Sequence, residues 1–207
     1  MTKKRVKKTT VRYIYEGKTE KVLLKYLSSL YPNSSAQEIA PISGRGGTAD
    51  SIISNALKYQ YFDKLFVLLD EDFETKESPY RISDETLNNL EKQWKLEIGS
   101  LSKVKYRDFL KQNIHKKNPI VIFSNPQAIE GMLLQILGHS KDSLEGKTTS
   151  ELKNMLQEKL GRLTDKIPCQ TEAEALFTLL SQEITLDILQ ERRKNIPEID
   201  MLLSIFE

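Results

Sequence analysis

Acidic residues stand directly after two apolar runs of the chain. Glu16 follows the run VRYIY, with Glu20 four positions later, and Asp70 and Asp72 follow the run LFVLL. In open α/β sheets, ligands bind outside the carboxyl ends of the strands. Carboxylates gathered there repel one another and raise each other's pKa, and a divalent cation removes that cost. The spacing therefore predicts a metal site built from Glu16, Glu20, Asp70 and Asp72.

A third apolar run, IVIF at residues 120–123, leads to Glu130 at the start of a predicted helix, so we expect Glu130 as a fifth ligand. Cys169 is the only cysteine, and the two histidines, His115 and His139, have no metal-ligand spacing. The ligands must then be oxygens, which favours Mg²⁺ or Mn²⁺ over Zn²⁺.

Such a site suits the chemistry of phosphodiesters. Mg²⁺ usually takes one or two carboxylates and leaves its other positions to water and substrate phosphate. Glu16, Asp70 and Asp72 are the candidate catalytic residues. Structural alternatives remain open for several acids: Glu20 could serve the helix dipole, residues 70–72 could form a solvated turn, and Glu130 could be an exposed helix residue.

The acids are to be positioned by strands that alternate with helices. Strands are predicted at 11–15, 38–42, 65–69 and 120–123, and helices at 18–30, after 48, at 84–101 and at 127–137. Pro41 demotes the second strand or moves it to an edge. This order predicts an α/β fold with a mainly parallel sheet covered by helices and built of right-handed βαβ units.

The C-terminal residues, 147–207, are helical in pattern, with breaks expected near Gly161, Pro168 and Pro197. We predict a core at 10–140 and a helical extension at 147–207.

Basic residues offer contacts to substrate phosphate. Lys18 lies beside Glu16, and Arg45 sits in the Gly-rich loop 43–48, which could let backbone N–H groups approach a phosphate or be only a flexible turn. The basic runs at 3–12 and 111–117 could track a nucleic acid or be solvated faces.

Composition describes an ordinary globular chain, because 39% of the 207 residues are hydrophobic and 29% are charged. No stretch approaches the roughly 18 consecutive apolar residues of a spanning helix, and no signal peptide is evident, so we expect a cytoplasmic protein without a membrane partner. The net charge of +2 is too small to argue for nucleic acid by itself.

Glu16-Gly17-Lys18-Thr19-Glu20 closing one strand and Asp70-x-Asp72 closing another resemble the Toprim domain, especially its form in OLD-family nucleases. Ser124-Asn125-Pro126 followed by Glu130 resembles the S-N-P-x-x-E segment of RloB-like proteins, which are associated with restriction and phage defence. Ile129 departs from that pattern, which usually has an aromatic residue before the glutamate.

The resemblance implies a Toprim-like, Rossmann-like core and a Mg²⁺- or Mn²⁺-dependent nuclease acting on DNA or RNA in anti-phage defence. It implies that Glu16 is a catalytic acid or base or a metal ligand, and that Asp70 and Asp72 hold the metal. No G-x-x-x-x-G-K-[ST] motif occurs, so a regulating ATPase or defence-system subunit would be a separate partner. The alternative is a non-catalytic or partner-activated sensor that binds metal or phosphate at this site. The choice between DNA and RNA, and between a monomer and a homo-oligomer, stays open.

Overall fold

The computed structural model describes residues 9–39, 49–59, 62–70, 119–124, 126–165, 167–169 and 171–207, without the side chains of residues 49 and 50. Several sequence predictions lie outside these ranges. They are Asp72, Arg45 with the loop 43–48, the helix 84–101, and the basic residues at 3–8 and 111–117.

The described strands form one parallel sheet. Its four strands are β1 (Val11–Tyr15), β2 (Gln37–Glu38), β3 (Lys64–Asp70) and β4 (Ile120–Ser124), in the order β2-β1-β3-β4. The predictions for β1, β3 and β4 are confirmed. The edge position predicted for the second strand is also confirmed, although β2 begins at Gln37 and is only two residues long.

Both faces of the sheet are buried along β1, β3 and β4, which explains why these three strands are mostly apolar. Side chains alternate between the faces with the period of two that extended backbone imposes. One face carries Tyr13, Tyr15, Phe66, Leu68 and Ile122. The opposite face carries Ile14, Leu65, Val67, Leu69, Val121 and Phe123.

Helices cover the two faces unequally. The second face packs against α2 (Ala49–Ala56), which continues into a 3₁₀ turn at Leu57–Tyr59. The first face carries most of the other helices. They are α1 (Lys18–Leu30), α3 (Ile129–Ile136), α4 (Lys141–Leu144), α5 (Thr149–Thr164), α6 (Glu172–Glu183), α7 (Leu186–Arg192) and α8 (Pro197–Leu203). The predicted α/β class with a parallel sheet, covering helices and a helical C-terminal part is confirmed.

Threonines begin three of the C-terminal helices. Thr148 forms a capping box with Glu151, and the hydroxyls of Thr171 and Thr185 accept the corresponding N–H bonds at α6 and α7. Pro168 separates α5 from α6, and Pro197 is the first residue of α8, as predicted. The break predicted at Gly161 is wrong, because Gly161 lies inside α5, where buried Leu160 and Leu163 hold the helix against the core.

The C-terminal helices share one hydrophobic core with the sheet. The Tyr26 hydroxyl of α1 donates a hydrogen bond to the Ile184 carbonyl, and its ring meets Phe177 of α6 edge-on at 5.8 Å between centroids. Phe206, near the end of the chain, meets Tyr13 of β1 at 5.7 Å. The helices after residue 147 therefore close the face of the sheet that α1 begins to cover.

Across the described ranges, no helix combines the length and apolarity needed to cross a membrane.

Candidate functional site at the carboxyl edge of the sheet

Three neighbouring strands end at the same edge, and each end leads to a polar residue. Glu16 follows β1 directly, Asp70 is the last residue of β3, and Ser124 is the last residue of β4, paired in register with Asp70. A short turn then leads from β4 to Glu130 in the first turn of α3. The parallel register therefore brings to one edge the ends of strands that are 54 to 109 residues apart in the sequence.

Glu20 folds back on the start of its own helix. Gly17 is the N-cap of α1 and offers no side-chain cap. The Glu20 carboxylate instead lies beside the backbone N–H groups of Glu20 and Gly17, which lower its pKa, and a Cβ at Gly17 would lie 2.9 Å from Oε2 of Glu20. The helix-dipole role that the sequence left open for Glu20 is thus present in the fold.

The same carboxylate sits in an unfavourable place for a negative charge. Its residue is only 2% exposed. Burial, followed by the charges of Glu16 and Glu130, raises the pKa of Glu20 to about 7, although the nearby backbone N–H groups act in the opposite direction. Glu16 and Glu130 thus both lie within electrostatic reach of Glu20, whose pKa is close to neutral pH.

Asp70 is tied to the helix that carries Glu130. Its Oδ1 atom accepts the backbone N–H of Ile129 at 2.8 Å, while the N-cap residue of α3, Ala128, has no side-chain oxygen to do so. Asp70 therefore satisfies an N–H at the start of α3 from across the sheet edge. This half-buried, hydrogen-bonded aspartate does not fit the alternative of a solvated turn.

A tight turn places Glu130. Gln127 adopts the left-handed conformation with φ 57°, and the Ala128 N–H bonds the Pro126 carbonyl at 2.7 Å. A Cβ at Gly131 would lie 2.3 Å from that carbonyl oxygen, so only glycine fits this close approach. Glu130 is 7% exposed, which excludes the alternative of an exposed helix residue.

The donor chemistry of this edge fits a divalent cation, since buried, mutually repelling carboxylates are the ligands that Mg²⁺ and Mn²⁺ prefer. Within the part of the chain that the structure describes, however, no three His, Cys, Asp or Glu residues group closely enough to hold a metal ion. Asp72, the remaining predicted ligand, lies outside that part.

Sequence reasoning passed over two residues at this edge. Gly131 directly follows Glu130, and a glycine in the first turn of an apolar helix could have indicated a close backbone contact. The sequence indicated Ser124 only as part of the S-N-P segment, yet its hydroxyl is fully buried and has no hydrogen-bond partner among the described residues. Lys18, the predicted phosphate contact, is exposed at the start of α1.

Comparisons of the chain with protein-family models, curated proteins and solved structures gave no match.

Proposed function

We propose that this protein is a metal-dependent nuclease that hydrolyses phosphodiester bonds of DNA or RNA at the carboxyl edge of its sheet. The observation that carries the proposal is the meeting of Glu16, Glu20 and Glu130 in one electrostatic neighbourhood. Asp70 stands at the same edge and is bonded to the helix of Glu130. Clustered acids of this kind are costly to the fold unless a cation or a proton compensates them.

Each acid has a role in this proposal. Glu16 and Asp70, together with Asp72, are the proposed oxygen ligands, and Glu20 and Glu130 are further candidates from the same edge. Bound Mg²⁺ or Mn²⁺ would supply an activated water and stabilise the leaving oxygen. Glu16 is also the candidate acid or base, and Lys18, exposed two residues after it, is the proposed contact for a substrate phosphate.

The class that fits these roles is the Toprim class in its RloB-like form. Support comes from the motif residues Glu16, Asp70 and Ser124, which stand at the ends of β1, β3 and β4. The same resemblance supports a role in anti-phage defence in the cytoplasm, with a separate ATPase or defence-system subunit as a partner.

The test is cleavage of plasmid DNA, single-stranded DNA and tRNA, each with Mg²⁺, Mn²⁺ or EDTA. The variants are Asp70→Asn and Glu16→Gln, with Glu158→Gln, an exposed acid of α5, as the matched control. We expect metal-dependent cleavage in the wild type and the control and a loss of about 100-fold or more in the two site variants. Cleavage unchanged in Asp70→Asn would overturn the proposal.

A second candidate is a partner-activated sensor that binds metal or phosphate without turnover. The bond from Ile129 to Asp70 favours it, because this carboxylate already serves the fold. If no substrate is cleaved but the chain co-elutes with a host or phage component in gel filtration, the sensor replaces the nuclease as the better reading.

A further inference from the structure

A cleft of about 640 Å³ opens beside the acidic edge, between the start of α1 and the helices α5 and α6. Lys18, Thr19 and Val22 of α1 and Glu130 of α3 form one side of it. The other side comes from α5, from α6 and from Thr171 just before α6, so the C-terminal helices contribute most of the wall. We call it the α1–α5–α6 cleft.

The cleft adjoins the acidic site directly. Glu130 belongs to both, since it lines the cleft and its charge raises the pKa of Glu20. Lys18, two residues after Glu16, lies on the rim. A molecule in the cleft would therefore have one end against the carboxylates.

The cleft has an apolar floor and a polar rim. The floor consists of buried side chains from three helices: Val22, Leu156, Leu160 and Leu176. On the rim stand the exposed lysines Lys18 and Lys153, and the Gln157 amide donates a hydrogen bond to the Glu172 carboxylate. Neither rim lysine forms a salt bridge with any residue in the described ranges.

These features fit one nucleotide better than a duplex. The volume lies within the roughly 300–1,000 Å³ range of small-ligand sites. A base and sugar can pack against an apolar floor, and a lysine at the rim can bind a phosphate. Lys18 and Lys153 are balanced by Glu130 and Glu172, so the cleft lacks the excess of positive charge that a duplex-tracking groove needs.

We propose that the α1–α5–α6 cleft binds an unpaired nucleotide next to the phosphate that the acidic edge acts on. A base inside a duplex is paired and stacked and cannot enter such a cleft unless it is extruded. This inference rests on the proposed function, and it makes single-stranded nucleic acid the preferred substrate. Among the residues that the structure describes, no aromatic side chain lines the cleft, so the base packs on leucine and valine with little sequence preference.

The experiment measures binding apart from cleavage, in EDTA, by fluorescence anisotropy. The probes are labelled oligo(dT) and oligo(rU) of about ten nucleotides, the matching duplexes, and unlabelled nucleoside monophosphates as competitors. Ala173→Trp fills the cleft from an exposed position on α6, and its control is Asn154→Trp on α5, outside the cleft. Lys153→Ala removes a rim charge, and its control is Lys194→Ala.

We expect wild-type protein to bind the single strands at least about tenfold more tightly than the duplexes, and Ala173→Trp to lose about tenfold in affinity. Lys153→Ala should lower the slope of log K against log salt concentration by about 0.7, the value for one phosphate contact on a single strand. Both tryptophan variants must keep the wild-type circular dichroism spectrum and melting temperature. Unchanged single-strand binding in a folded Ala173→Trp protein would overturn the inference.

The remaining outcomes separate the two proposals. If Ala173→Trp binds and cleaves single strands like wild type while Asp70→Asn is inactive, the nuclease stands and the cleft assignment fails. If Ala173→Trp loses binding but no metal-dependent cleavage is found with any substrate, the cleft stands as a nucleotide site and the nuclease fails. If a nucleoside monophosphate binds in the cleft but no oligonucleotide does, the proposal that the bound nucleotide belongs to a nucleic-acid strand is wrong.

Discussion

At the scale of single residues, two acids of the candidate site also hold the backbone. The Glu20 carboxylate lies beside the N–H groups at the start of α1, and Asp70 accepts a hydrogen bond from the N–H of Ile129 at the start of α3. Helix starts leave N–H groups without intrahelical partners, and a nearby carboxylate satisfies them and favours the helix dipole. An alanine substitution at either position therefore removes both the support for the helix start and the carboxylate of the site.

Asp70→Asn and Asp70→Ala separate these losses. Asparagine keeps an oxygen for the Ile129 N–H and removes the charge, whereas alanine removes both. We expect both variants to lose metal-dependent cleavage, and only Asp70→Ala to lose about 1 kcal/mol or more in the free energy of unfolding. Urea denaturation in EDTA checks the second part. Equal stability of the two variants would show that the bond to Ile129 contributes nothing.

The raised pKa of Glu20 makes the stability of the fold depend on pH. Between the unfolded pKa of 4.5 and the folded pKa of about 7, the folded state holds a proton that the unfolded state has released. Stability from this group is therefore complete below pH 4.5 and is lost as pH rises through about 7.

Glu20→Gln should remove this dependence, because the amide carries no charge and keeps an oxygen for the backbone N–H groups. With about 1.4 kcal/mol per pKa unit, we expect the variant to exceed wild type by up to about 3 kcal/mol at pH 8 in EDTA. The two proteins should converge below pH 4.5. If the difference in unfolding free energy between the two proteins is the same at pH 8 and below pH 4.5, the raised pKa of Glu20 is not its cause.

At the scale of elements, the turn between β4 and α3 decides where Glu130 lies. It combines a left-handed Gln127 with a contact so close at Gly131 that no side chain fits. The tight turn lets α3 start three residues after the Pro126 carbonyl and buries its first turn against the sheet edge.

Gly131→Ala and Gly161→Ala form a matched pair. Both glycines lie in helices, but a Cβ at Gly131 would meet the Pro126 carbonyl oxygen at 2.3 Å, and a Cβ at Gly161 would meet nothing within 4 Å. We expect Gly131→Ala to cost about 1–3 kcal/mol of unfolding free energy and to lower activity, because the turn must shift. Gly161→Ala should gain about 0.5–1 kcal/mol from helix propensity. Thermal and urea unfolding check both, and equal effects at the two positions would contradict the contact at Gly131.

At the scale of the whole molecule, the C-terminal helices and the sheet are parts of one hydrophobic core. Leu176, Leu179 and Leu180 of α6 are buried in the same cluster as Leu23 and Leu27 of α1. These helices also supply most of the lining of the α1–α5–α6 cleft. They therefore support the site both by packing behind α1 and by shaping its approach.

Truncation after Gly146 tests this dependence. Removing α5 to α8 would expose the apolar face of α1, at a cost of about 25 cal/mol for each Å² of apolar surface. We expect the shortened chain to lose the cooperative unfolding transition of the full chain, as followed by circular dichroism and tyrosine fluorescence. A sharp transition in the shortened chain would show instead that the sheet with α1 to α4 folds alone.

The sequence by itself determined the elements and the edge where the acids gather. Apolar runs of four to seven residues fixed β1, β3 and β4, because strands buried on both faces must be apolar throughout. The helical period fixed α1, and Glu16 and Asp70 followed from the places where the strands stop. Local chemistry carries this information, so it can be read from one segment at a time.

Only the tertiary structure decided what the acids touch. The bond from Ile129 to Asp70 joins residues 59 apart, and the approach of Glu130 to Glu20 depends on the order and register of the strands that precede them. The cleft forms only because α5 and α6 pack beside α1, and no short sequence motif predicts that packing. Gly161 shows the same limit of local sequence patterns. The glycine predicts a break in the helix, but tertiary packing of the neighbouring leucines keeps the helix intact.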